Sequence, residues 1–342
     1  MKTPRVSIII LNWNGWRDTI ECLESLYRIE YPNYDVIVID NDSKDESIQK
    51  IKEYASGKIK VESKFFRYNP KNKPIKVFEI DEEEARQGKF NRPFYEKFDP
   101  DRRLVLIKNK ENYGYAGGNN IGIKFALSIF NPDYVLILNN DTVVEPKFLS
   151  ELVKVAEMDK KIGIVGSLIR LYYTPNVIQS NGIQINLKVG RIRHIQEINP
   201  QESVDCVMGC SMLISKKLLS NGELFDNAFF VYVEEIDFCL RAKKNRGYII
   251  KSIPYSLVFH KHRGSTGYIM NKFILYYRAR NYILMTYKLF KDVWILLVVP
   301  YLFTIIIESL IWAIKLKNMS LLISTIRGIY DGLKRLCCIN YH

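Results

Sequence analysis

Four short apolar runs, Val6 to Leu11, Val36 to Ile39, Leu104 to Ile107 and Tyr134 to Leu138, constrain the fold of this chain more than any other feature. They are near-continuous instead of alternating, the mark of strands buried on both faces of a parallel sheet. Helical spacing lies between them: Ile20, Leu23, Leu26 and Tyr27 before Pro32, then Ile121, Phe125 and Ile129 before Pro132. Strand, helix and strand in this rhythm need right-handed crossovers, which predicts a doubly wound, mainly parallel α/β sheet. The runs stop at Asn12, Asp40, Asn109 and Asn139. Open α/β sheets bind ligands at the carboxyl ends of their strands, so these side chains are expected to converge, although Asn and Asp also simply begin turns.

Residues 62–103 break the rhythm as a charged excursion, read as a hairpin or loop inserted into the first half. After Asp141 the pattern becomes mixed, with a helix from about Pro146, a strand near Ile162 to Leu171, a hairpin over 176–194 and a strand over 204–214. The reading is a nucleotide-binding half at 1–145, an acceptor half at 146–270, and a helical membrane-associated region at 271–342.

Residues 293–314 carry a single charge, Glu308, and are long enough to span a bilayer. Pro300 and the balanced Lys and Arg on both flanks favour a kinked or re-entrant segment as an alternative to a span, with both ends in the cytoplasm. The tail repeats Leu322, Ile326, Ile329, Leu333 and Leu336 on one helical face, suited to lying in a membrane interface or packing as a core helix. A net charge of +13 implies an anionic partner: nucleic acid, a phosphorylated small molecule or an acidic membrane. No platform of interleaved aromatic and basic residues is evident, so nucleic acid is not expected. The six cysteines have no Cys-x-x-Cys spacing and no secretory signal ahead of them, which reads as reduced thiols at the cytoplasmic face of the membrane.

Gly114, Gly117, Gly118 and Gly122 follow a strand and open a helix, but no two are separated by a single residue, so the dinucleotide fingerprint is absent. No P-loop motif exists either. What remains is a glycine-rich turn whose backbone N–H groups could face a phosphate or sugar.

Four N-terminal motifs are Val6-Ser7-Ile8-Ile9-Ile10-Leu11-Asn12-Trp13-Asn14-Gly15, Val38-Ile39-Asp40-Asn41-Asp42-Ser43, Asn112-Tyr113-Gly114-Tyr115-Ala116-Gly117-Gly118-Asn119-Asn120 and Leu138-Asn139-Asn140-Asp141. The fifth is Phe230-Val231-Tyr232-Val233-Glu234-Glu235-Ile236-Asp237-Phe238-Cys239-Leu240-Arg241. In this order, from about Arg5 to Asn281, the chain resembles family 2 glycosyltransferases of the GT-A fold, with wording nearest the rhamnosyltransferase-like branch. The resemblance implies inverting transfer of a sugar from a UDP- or dTDP-linked donor to an acceptor hydroxyl, with an Mg²⁺ or Mn²⁺ ion at the diphosphate.

By this resemblance Asp141 is a metal ligand, while His260 is either a second ligand or a structural side chain. Asn139 stands where the family often has an acid; its amide could still bond to the ribose of the nucleotide sugar or to a metal-bound water, but it lends the ion less charge. Glu235 falls at the family's catalytic base, commonly Asp there; Glu234 or Asp237 could substitute. Asp40 would accept from a uracil or thymine imide beside Asn12, Trp13 and Asn14, with Asp42 on the ribose. Asn112, Gly117, Gly118, Asn119 and Asn140 would line the sugar and phosphates. Arg263 would close over the diphosphate, and Arg280-Asn281 also recurs in the family; both read equally as a solvated basic face leading to the membrane segment. The acceptor is expected to be a lipid-linked or cell-surface glycan, with homo-oligomerisation left open. The competing readings are a nucleotidyltransferase and a membrane-anchored nucleotide-sugar-binding protein without turnover.

Overall fold

The computed structural model describes residues 3–198, 204–222, 224–261 and 271–339. The first half winds β1 (Val6–Asn12), α1 (Trp16–Leu26), β2 (Tyr34–Asp40), α2 (Ser47–Ala55), β3 (Lys76–Asp81), α3 (Glu82–Gln87), α4 (Arg92–Tyr95), β4 (Arg103–Lys108), α5 (Gly114–Ile129) and β5 (Tyr134–Asn139). The second half adds β6 (Thr142–Val144), α6 (Phe148–Ala156), β7 (Ile162–Leu171), β8 (Ile178–Ser180), β9 (Ile183–Asn186), β10 (Arg191–His194), β11 (Ser211–Ser215), α7 (Lys216–Ser220), α8 (Glu234–Arg246) and β12 (Ile249–His260). Three helices close the chain: α9 (Lys272–Leu289), α10 (Trp294–Lys315) and α11 (Ser320–Ile339).

Among the described residues one sheet of 10 strands runs β3-β4-β2-β1-β5-β11-β7-β12-β6, with β8 beside β7. β1, β2, β3, β4 and β5 pair in parallel, as expected from runs buried on both faces. β11 then enters antiparallel between β5 and β7, and makes the sheet mixed. The interior divides into two apolar layers, one on each face of the sheet. Ile9, Ile37 and Ile137 face one layer, while Ile8, Ile10 and Val38 face the other. That is the period-two geometry of a strand covered on both sides.

The inserted segment is no hairpin. β3 joins the outer side of β4 in parallel, and α3 follows at once through a reciprocal capping box between Asp81 and Glu84. Lys76, Glu79 and Asp81 are exposed along this edge strand, so the run never becomes apolar enough to announce itself. The strand expected over 204–214 is ordered only from Ser211 to Ser215; before it, Cys206 forms a single bridge with Ile183.

α9 is largely buried, and both C-terminal helices pack against it. α10 turns Val298, Tyr301, Ile305, Ser309 and Ala313 inward, with Tyr301 stacked on Tyr282 at 3.6 Å. Glu308 is paired with Arg278 on α9 at 3.1 Å. α11 buries Leu321, Thr325, Gly328, Gly332 and Leu336 and exposes Ile323, Ile326, Tyr330 and Leu333. The expected stripe of Leu322, Ile326, Ile329, Leu333 and Leu336 therefore straddles the two faces, because the glycines let α11 approach Tyr276 and the backbone of Arg280 closely.

Candidate active site

β1 and β2 end in register, Asn12 opposite Asp40, at the carboxyl edge of the sheet. The Asn12 amide donates to Asp40 Oδ1 at 2.8 Å and to Ser43 Oγ, and its oxygen accepts from Thr19 Oγ. Asn12 thus spends its polar atoms on the protein and fixes Asp40. The other Asp40 oxygen accepts from Ser43 N at 3.0 Å. Asn14 Oδ1 accepts from Lys44 N, Asp42 pairs with Lys44, and Trp13 is 39% exposed beside them. Asn109 binds Asn41, which in turn donates to Asn112, so these side chains fix the β4–α5 turn.

The glycine-rich turn serves packing. A Cβ at Gly118 would lie 2.5 Å from Leu11 Cδ1, so the helix can sit on β1 only without a side chain there. The first-turn N–H groups of α5 do not face open space: Tyr115 N and Ala116 N both donate to Phe230 O, at 2.6 and 3.2 Å. This corrects the expectation of an anion cradle. Asn119 donates to Tyr115 O, and its own oxygen is buried with no partner among the described residues.

Asp141 follows the end of β5 and is 5% exposed. Its Oδ1 lies 3.2 Å from His260 Nε2, at the last residue of β12. His260 Nδ1 is 3.0 Å from Gln179 Oε1, which suits Nδ1–H as donor and turns an Nε2 lone pair toward Asp141. A carboxylate oxygen and an imidazole nitrogen aimed at one spot are donors that Mn²⁺ accepts. Among the described residues no third His, Cys, Asp or Glu completes the group, so a metal here would need ligand oxygens from a bound diphosphate. Asn140 donates to Thr19 Oγ, and Asn139 holds the floor through its backbone, its N–H donating to Cys210 O at 3.0 Å.

Cys210 lies in the turn at 209–210, where burial and then the charges of Asp141 and Glu235 push its thiol up. A Cβ at Gly209 would meet Tyr115 Oη at 2.9 Å and Glu235 Cβ at 3.6 Å. Tyr115 Oη donates to Gly209 O at 2.7 Å. Burial, and then the charges of Glu234, Glu235 and Asp141, push this phenol well above its ordinary range, so it stays a protonated donor. Asp141 and the Glu234-Glu235 pair therefore share one polar neighbourhood. Glu234 and Glu235 each keep one carboxylate oxygen, Oε2, shut from solvent with no partner among the described residues. Burial raises both groups above the usual carboxylate range, and Glu234 is raised further by the charge of Glu235. Asp237 differs: Arg241 donates to it at 2.7 Å, one helical turn on.

Arg263 lies outside the described residues. Lys261, which sequence reasoning passed over, inserts between Asp18 and Glu21 of α1 at 2.5 and 2.6 Å, and its backbone N–H donates to Asp141 O. Tyr115 was quoted only within a motif. Arg280 and Asn281 form no solvated face: they are 3% and 0% exposed.

A mainly parallel sheet with carboxylates gathered over the ends of its central strands is the frame of an enzyme that handles a nucleotide. Residues 7–75 match Glycosyl transferase family 2 and residues 92–282 match Glycosyltransferase like family 2; the chain belongs to the family 2 glycosyltransferases. It is 30% identical over 153 residues to the Low-salt glycan biosynthesis hexosyltransferase Agl10 of Haloferax volcanii. The match takes in 41% of this chain and 47% of that protein, about half the length of the relative. The fold is like that of the mannosyltransferase PcManGT from Pyrobaculum calidifontis, solved with GDP-Man and Mn²⁺: TM-score 0.56 and 15% identity over 97% of this chain and 88% of that one. It is also like that of GalNAc-T7, solved with UDP, GalNAc and Mn²⁺: TM-score 0.53 and 15% identity over 75% of this chain and 43% of that one.

Proposed function

We propose that this protein transfers a hexosyl or rhamnosyl group from a nucleotide-diphosphate sugar to an acceptor hydroxyl, with inversion at the anomeric carbon. What supports the proposal is that Glu235 Cβ lies beside Gly209, while the adjacent Cys210 feels the charges of both Asp141 and Glu235. The acceptor oxygen attacks the anomeric carbon from the α8 side as the bond to the diphosphate breaks. Glu235 takes the hydroxyl proton; its unpartnered oxygen and raised pKa suit a base that must release that proton afterwards. Asp237 is held by Arg241 and is assigned to support of the helix.

Asp141 and His260 would hold a divalent ion, completed by diphosphate oxygens. Such an ion supplies positive charge to the leaving group. Both solved structures of like fold named above were determined with Mn²⁺, which supports this choice of ion. Asp40 has carboxylate lone pairs beyond the two bonds it accepts, enough for one imide N–H, which favours UDP or dTDP over CDP.

The catalytic unit is proposed to reach into α9, whose side chains bond to the 228–232 segment. The exposed apolar faces of α10 and α11 are proposed to dock on the cytoplasmic face of a membrane and to bring the site to a lipid-linked or cell-surface glycan. One face of α10 is occupied by protein, which favours lying in the interface over crossing. A panel of UDP-glucose, UDP-galactose, dTDP-rhamnose and GDP-mannose, with Mn²⁺ and extracted membrane lipid, tests the assignment. Nucleotide release that rises with the lipid and falls by about 100-fold or more, to a measurable residue, in Glu235→Gln is expected; release indifferent to Glu235 would refute it.

A further inference from the structure

The segment entering α8 is held in a conformation its residues do not favour. Phe230 has φ 63° and ψ −62°, and Val231 N donates to Phe229 O at 2.7 Å, the γ-turn of positive φ that is rare and strained. Tyr232 and Val233 follow at φ 65° and 75°, where an aromatic and a β-branched side chain are both out of place. Glu234 and Glu235 come next. Strain collected directly before the reacting groups persists only where surrounding structure overrides it.

Two adjacent residues of α9 supply that restraint. Asn281 Nδ2 lies 2.8, 2.8 and 2.7 Å from the carbonyl oxygens of Phe229, Val231 and Tyr232. Arg280 Nη2 donates to the carbonyls of Ala228 and Phe229 at 2.7 and 2.9 Å. Arg280 Nε donates to Asn281 Oδ1 at 2.8 Å, which fixes the amide with its N–H groups toward the loop. The one carbonyl turned the other way, Phe230 O, is taken by the first turn of α5. The loop is thus gripped from both sides with its carbonyls sorted between them.

We infer that Arg280 and Asn281 are positioning residues of the transfer reaction: they hold the strained 229–233 turn so that the Glu235 carboxylate faces the acceptor. The inference rests on the assignment of Glu235 as base. A residue that only stabilised the fold would lower the amount of active protein, and its effect would multiply with that of Glu235. A residue acting through Glu235 loses its effect once the carboxylate is gone.

The test uses the full chain and whichever donor of the panel above turns over. It measures kcat, acceptor and donor KM, and the UDP dissociation constant for Asn281→Ala, Asn281→Asp, Glu235→Gln and the doubles. Asn281→Asp keeps the shape but sets a carboxylate oxygen against three carbonyls, so it is expected to be the more damaging. The expected result is a kcat loss of about 30-fold or more with UDP affinity within about twofold, and less than about threefold added to the loss caused by Glu235→Gln. Arg280→Lys, which keeps the charge but not the fork, reads the same coupling if the 281 variants do not fold. Wild-type kcat in the 281 variants, a loss matched by weaker UDP binding, or penalties that multiply in the doubles would overturn the positioning role alone. Full transfer by Glu235→Gln would overturn the base assignment with it.

Discussion

Three acids in the first turn of α8 fall into two kinds of surroundings, and the proposed roles follow that division. Burial raises all three above the usual carboxylate range; Glu234 and Glu235 are offset only by backbone N–H groups, whereas Asp237 is offset by the Arg241 guanidinium. A carboxyl raised in the folded state contributes stability that is complete below its ordinary pKa and lost as pH rises through the raised one. Glu235→Gln is therefore expected to melt about 2–4 °C higher than wild type at neutral pH while losing transfer, the stability that a functional site forgoes. Asp237→Ala is expected to lose about 1–3 kcal/mol in denaturant unfolding because it removes the carboxylate to which Arg241 Nε donates. As the proposed base, Glu235 would set the acidic limb of kcat. Activity should fall as pH drops through a value above the ordinary carboxylate range, and a limb at the unperturbed position would show that Glu235 is not the base.

Elements that are buried on both faces were legible, because burial on both faces leaves continuous apolar runs; β1, β2, β4 and β5 lie where those runs stand. β7 was legible for the same reason, with its first eight residues buried. The edge strand β3 was not, since alternating charge on an exposed edge looks like a loop. The turn before α8 was illegible in principle: Phe230, Tyr232 and Val233 carry no local preference for positive φ, and only distant partners on α5 and α9 impose it. Arg280 and Asn281 have the composition of a surface, so their burial appears only once α9 is placed. The glycines of α5 were found, but for the wrong neighbour. Gly118→Ala, which forces a methyl against Leu11, is expected to cost about 1–3 kcal/mol in denaturant unfolding; an unchanged midpoint would mean the helix can shift outward.

At the scale of the molecule, the exposed apolar residues gather at the carboxyl-terminal end of the chain. Ile295, Leu296, Val299, Phe303, Ile307 and Ile311 on α10 and Ile323, Ile326 and Tyr330 on α11 face outward. Exposed Lys291, Lys315, Lys317, Arg327, Lys334 and Arg335 accompany them, while Glu308 and Asp331 are occupied by Arg278 and Tyr276. A surface of that kind should bind vesicles containing anionic lipid and release them in high salt. Leu296→Asp with Phe303→Asp should lose at least about tenfold in vesicle affinity by co-sedimentation and leave UDP binding intact; undiminished sedimentation would move the docking surface elsewhere.

Asp141 with His260, and Glu235 beside the Gly209 turn, are proposed to serve one bound nucleotide sugar in separate capacities. Calorimetric titration of UDP with and without Mn²⁺ into the wild-type chain, Asp141→Asn and Glu235→Gln tests it most directly. Asp141→Asn should abolish the Mn²⁺-dependent gain in affinity, while Glu235→Gln should keep it within about twofold. Wild-type, metal-dependent binding by Asp141→Asn would contradict the account.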